Sequence, residues 1–89
     1  MVNKIKKLIK NQINVHHFDI FDRSGNHIDH EINSGGAHFK SIIVSNDFID
    51  KSLIERHRMI YNALGDMMKN EIHAFSMKTL TIDEYKQQI

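Results

Sequence analysis

Apolar positions recur along the chain at two different spacings, and each change of spacing marks a new element. Val2, Ile5, Leu8, Ile9 and Gln12 fall three and four apart, with Lys4, Lys6, Lys7 and Lys10 around the other side. That period predicts a short amphipathic helix. From Asn14 to Asp22 the pattern switches to alternation. His16, Phe18 and Ile20 share one face, and Val15, His17, Asp19 and Phe21 share the other, which predicts a strand. "HFKSIIVS" (38–45) is rich in β-branched residues and predicts a second strand. The stretch between them has Ser24-Gly25-Asn26 at one end and Ser34-Gly35-Gly36 at the other. Both triplets are turn chemistry, so this is a long connection between strands expected to pair antiparallel.

"SLIERHRMIYNALGDMMKN" (52–70) carries the strongest helical signal. Ser52 and Glu55 have the spacing of a capping box, in which each side chain satisfies a backbone amide of the first turn. Leu53, His57, Ile60, Leu64 and Met68 form the predicted apolar stripe, with Glu55, Arg58, Asn62, Asp66 and Lys69 opposite. "IHAFSMKTL" (72–80) predicts a third strand, and Thr81 with Glu84 offers a second capping box for a short last helix. The order is α-β-β-α-β-α. It implies an α+β fold in which helices cover a three-stranded mixed sheet, the last two strands made parallel by the helical crossover.

Composition narrows the function classes. Eighty-nine residues, 40% apolar and 26% charged, suit one soluble domain spanning 1–89. No run approaches the roughly 18 apolar residues of a membrane span. A net charge of +1 argues against a dedicated nucleic-acid binder. The absence of cysteine excludes disulfides and an all-protein thiolate cluster. The basic opening "MVNKIKKLIK" lacks the arginine and serine of a transit peptide, so it is read as the first helix. The expected compartment is the cytoplasm, with the mitochondrial matrix as alternative. No serine has an evident oriented base, and an enzyme is not expected.

Three histidines fall within "HIDHEINSGGAH". Taken alone, a histidine in a polar connection is most simply a solvated group, and His38 would tie that connection to the second strand. His73 would be a partly buried strand histidine alternating with Phe75 and Met77. His57, on the apolar stripe, reads as a core or interface residue. His16 and His17 are adjacent in a strand, so their rings diverge and cannot chelate together.

"HFKSIIVS", "IERHRMIYNAL" and "IHAFSMKTLT" followed by "IDEY" resemble the BolA-like family, and the resemblance covers about residues 2 to 87. It implies a fold similar to the type II KH domain. It also implies a monothiol glutaredoxin as partner, with a 2Fe–2S cluster held between the two proteins. In that family the partner's cysteine and glutathione supply ligands, and the BolA-like chain adds two. One corresponds to His73. The other is a cysteine or histidine between the first two strands, and this cysteine-free chain resembles the histidine type. "RSGNH" is similar to the family's Ser-Gly-Gly-His pattern, which implies His27, with His30 and His38 as alternatives. Asparagine here replaces the second glycine.

Imidazole suits iron, whereas two histidines make a poor closed zinc site. The isolated chain is therefore expected to be a monomer holding no tightly bound cluster. The resemblance also implies an alternative, since some BolA-like proteins are transcriptional regulators. No Gly-x-x-Gly loop is present for clamping a single strand, but Lys51, Arg56, Arg58 and Lys69 are candidate phosphate contacts on the long helix.

Overall fold

The computed structural model describes residues 2–22, 37–70 and 72–88, with the backbone alone at 37 and 73. Helix α1 (Val2–Gln12) buries Ile5 and Ile9 on one face, and Ile13 continues that line just past its end. The Lys6 ammonium lies 5.8 Å from the ring centre of Phe18. Strand β1 (His17–Asp22) starts three residues later than the alternation suggests, so His16 lies before it. It pairs antiparallel with β2 (Ala37–Val44), placing Phe18 opposite Ile43 and Phe21 opposite Lys40. A 3₁₀ turn at Asn46–Phe48 leads to α2 (Leu53–Leu64), α3 (Met67–Asn70), β3 (Ile72–Leu80) and α4 (Ile82–Gln87). The sheet order is β1-β2-β3, and β2 runs parallel to β3. The expected α+β class, mixed sheet and element order therefore hold.

Ile5, Ile9, Phe39, Ile43, Phe48, Ile60, Leu64, Met67, Ile72 and Phe75 make one core between the helices and the inner sheet face. Burial of such side chains is worth about 1.5–3 kcal/mol each against leaving them in water. Both capping boxes form in full. Ser52 Oγ accepts from Glu55 N–H while Ser52 N–H donates to the Glu55 carboxylate, and Thr81 and Glu84 repeat the arrangement.

The segment 52–70 is two helices rather than one. Gly65 ends α2 at φ 55°, a conformation that costs an L side chain free energy even though an added Cβ would meet only Asn62 O at 4.0 Å. The buried stripe of α2 also differs from the expected one. Arg56, Ile60, Ala63 and Leu64 are the buried residues, followed by Met67 in α3, while Leu53 is 63% exposed.

That rotation of the helix depends on Arg56, which reaches into the protein. Its guanidinium donates to Thr79 O at 3.0 Å, to Lys51 O at 3.0 Å, and to the Glu84 carboxylate at 2.7 and 3.3 Å. It also lies 5.8 Å from the Phe48 ring centre. An arginine with four of its five N–H donors engaged can occupy a position that helical spacing would reserve for an apolar residue. Arg56 is therefore committed to the fold and is withdrawn from the candidate phosphate contacts.

Candidate functional site

The alternating side chains of the sheet define two faces, and the strand register defines two ends. At the α4 end, His17 pairs with Val44 and Val44 with Leu80. At the other end lie Asp22, Ala37 and Ile72. Of the seven histidines, His17 and the His38 and His73 positions fall on the sheet among the described residues.

His17 sits at the α4 end. Its Nε2 is 2.8 Å from Asp19 Oδ2, and its ring stacks on Tyr85 with centroids 5.0 Å apart and planes at 24°. His16 is exposed just before β1, and His57 is half-buried on α2. No group of three or more His, Asp or Glu side chains suited to a metal includes them among the described residues.

His38 and His73 lie at the opposite end. His38 is the second residue of β2, and it is half-buried. His73 is the second residue of β3. Ala37 pairs with Ile72 and His38 with Ala74, so the β3 strand has one more residue than β2 across this step, and that residue is His73. A bulge of this kind bends the strand and re-aims local side chains. It also explains why Ile72 and Phe75 are both buried although they are three residues apart. The simple alternation of residue 73 with Phe75 and Met77 is thus interrupted, because the register shift lies beside it.

His27 and His30 fall outside the described residues. The anchors of the connection that carries them are described: Asp22 ends β1 and Ala37 begins β2, both at the His73 end of the sheet. The chain therefore leaves and re-enters the sheet beside the bulge.

The donor set limits what this end can hold. The chain contains no cysteine, and no group of three or more His, Asp or Glu side chains suited to a metal occurs among the described residues. Neutral imidazoles can ligate iron, but a small number of them leaves a coordination sphere incomplete. Two histidines alone would need further ligands to close a metal site.

The α4 end is taken up largely by contacts within the fold. A shallow groove of about 310 Å³ is lined by Asn14, Val15, His16, Asn46, Asp47 and Ile82. Two of its polar side chains are already engaged, since Asp47 accepts from Asn14 N–H at 2.8 Å and Asn46 from Ile82 N–H at 3.2 Å. Ser45 closes the same region by donating to Asn14 O at 2.6 Å and accepting from Asp47 N–H at 3.0 Å.

Charge at that end serves the fold. The Arg56 side chain, followed by the Thr81 amide, holds the Glu84 carboxyl below its ordinary range. The Ser52 amide and hydroxyl do the same for the exposed Glu55. Sequence reasoning missed the Arg56–Glu84 link, which joins residues 28 apart. It also did not single out Phe21, which is 51% exposed. The alternation with His17 and Asp19 was the available signal, because it puts Phe21 on their face of the sheet.

Comparison with known proteins follows this geometry. A family model described as BolA-like protein matches residues 9–84. An uncharacterized protein of Buchnera aphidicola, BU473, is 37% identical over 87 residues, covering 98% of this chain and 82% of that protein. The DNA-binding transcriptional regulator BolA of Haemophilus influenzae is 32% identical over 84 residues, covering 94% of this chain and 80% of the relative. Among solved structures, the BolA domain of SufE1 from Arabidopsis thaliana superposes with a TM-score of 0.78 at 34% identity, covering 92% of each chain. No helix among the described residues is long and apolar enough to cross a membrane.

Proposed function

The chain belongs to the BolA-like protein family, and from that premise we propose that it is a non-enzymatic partner of a monothiol glutaredoxin. In this reading it co-ligates a bridging 2Fe–2S cluster for iron–sulfur assembly, trafficking or iron sensing. The observation that carries the proposal is the convergence at one sheet end. The bulge residue His73 lies across the ladder from the Ala37–His38 step, where the segment bearing His27 and His30 rejoins the sheet. His73 and His27 are the proposed ligands, with His30 and His38 as alternatives for the second.

The chain's own contribution is to present imidazoles in the neutral form at a fixed edge, leaving the thiolate ligands to the partner and glutathione. A protonated imidazole cannot ligate iron, so cluster retention should weaken as the pH falls below about 6. The test is to mix the chain with a cluster-loaded monothiol glutaredoxin and record visible circular dichroism. A histidine-type spectrum should appear and should change in His27→Ala. A change in His30→Ala instead would move the loop ligand.

The Haemophilus relative's name supports a second reading, a DNA-binding regulator using α2. With Arg56 buried, the cations left on that surface are Lys51 and Arg58 on or beside α2 and Lys69 in α3, interspersed with Asp50, Glu55 and Asp66. Such mixed charge suits phosphate contact poorly. Salt-dependent binding of the isolated chain to duplex DNA would favour this reading, and none at low salt would remove it.

A further inference from the structure

The outer face of the sheet is covered at one end and open at the other. Cross-strand partners project to the same side, so one face carries His17, Asp19 and Phe21 of β1, Lys40, Ile42 and Val44 of β2, and Ser76, Lys78 and Leu80 of β3. At the α4 end, Val44 is 0% and Leu80 8% exposed, and Tyr85 stacks on His17. Beyond that point the cover stops. Lys40, Ala74, Ser76 and Lys78 are exposed, Ile42 is half-buried, and Phe21 is 51% exposed. An apolar centre of Phe21 and Ile42 is thus flanked by two lysines. The sole carboxylate on this face among the described residues is Asp19, which faces the His17 ring.

We infer that this open sheet face is the docking surface for the cluster-bearing partner, whose contacting surface carries carboxylates around an apolar patch. The inference rests on the glutaredoxin reading above and adds where that protein sits. Two observations carry it. The first is continuity, because Lys40 follows His38 by two residues on β2, about 7 Å along the strand. A partner holding iron at the His73 end would therefore lie next to this face. The second is charge, since an exposed lysine pair offset across neighbouring strands selects an acidic surface and steers its approach.

The rival surface is the start of α2, where Ile49, Leu53 and Ile54 are 50%, 63% and 65% exposed. That patch lies at the wrong end. Arg56 bonds Thr79 O, and Thr79 is six residues along β3 from His73, about 20 Å away. Its flanking charges also cancel, with Asp50 and Glu55 against Lys51 and Arg58.

The test titrates cluster-loaded monothiol glutaredoxin into the wild-type chain, into K40E/K78E and into Phe21→Ser, at two salt concentrations. K40E/K78E should weaken association about tenfold and flatten its salt dependence. Phe21→Ser should weaken it severalfold, and at saturation the visible circular dichroism of both complexes should match wild type. I54S and R58E, on the α2 patch, should bind as wild type. Wild-type affinity in K40E/K78E, or weakened affinity in the α2 variants, would overturn the docking assignment while leaving cluster sharing intact. Loss of single-stranded oligonucleotide binding in K40E/K78E, with glutaredoxin binding unchanged, would overturn it in favour of nucleic acid. No complex with the wild-type chain would sink the parent reading, and this one with it.

Discussion

The two ends of the sheet are built differently. At the α4 end, polar groups are matched to one another over long sequence distances: Arg56 with Thr79 and Glu84, Ser45 with Asn14, and Asn46 with Ile82. At the other end, a bulge interrupts the ladder beside the ends of β1 and β2 that the polar connection joins. The first arrangement leaves little capacity for a ligand because its donors and acceptors serve the fold. The second brings the His38 and His73 positions onto neighbouring strands. A small domain has few kcal/mol to lose, so the cross-links at the α4 end weigh heavily in its stability.

This division can be broken most severely at Arg56. Arg56→Ala removes the donor for two backbone carbonyls and the Glu84 carboxylate, and should cost about 3 kcal/mol. Thermal melting should fall by roughly 10–20 °C for a domain of this size. Below the transition, the folded variant should still give the wild-type cluster spectrum with glutaredoxin. An altered spectrum would mean that the two ends are coupled.

Acid gives a smaller perturbation of the same end. Because Glu84 titrates below its ordinary value in the folded state, its contribution is present above 4.5, the free-glutamate value, and is lost as pH falls through the lower folded value. Urea unfolding should therefore show stability decreasing below that pH in the wild type. Glu84→Gln should start less stable and show a flatter acid limb. An unchanged limb would mean that the Arg56–Glu84 link contributes nothing measurable.

The smallest effect concerns a flaw in the closed end. Thr79 is 2% exposed, and its Oγ1 has no hydrogen-bond partner among the described residues. Thr79→Val should be neutral or stabilising by up to about 1 kcal/mol in the same unfolding experiment. A clear loss would reveal a partner for that hydroxyl.

How much of this was legible in the sequence depended on range. The capping boxes at Ser52 and Thr81 were readable because both partners lie within four residues. The parallel β2–β3 pair followed from the helical crossover between them. The face of α2 was misjudged at Leu53 and Arg56, since what makes burial of an arginine favourable is supplied by Thr79 and Glu84, 23 and 28 residues away. The break at Gly65 was hidden because Met67 and Met68 continue an apolar pattern across it. At the candidate site, family resemblance pointed to His73, but not to the bulge beside it. That irregularity arises from the fit of β3 against β2. His27 and His30 could be ranked by resemblance alone.

The central claim is that His73 ligates a cluster shared with a partner. The direct measurement is visible circular dichroism of cluster-loaded monothiol glutaredoxin mixed with wild type, His73→Ala or His57→Ala. The account predicts a histidine-type spectrum for wild type and for His57→Ala. His73→Ala should lack that spectrum while keeping wild-type far-ultraviolet circular dichroism. An unchanged visible spectrum in a folded His73→Ala chain would contradict it.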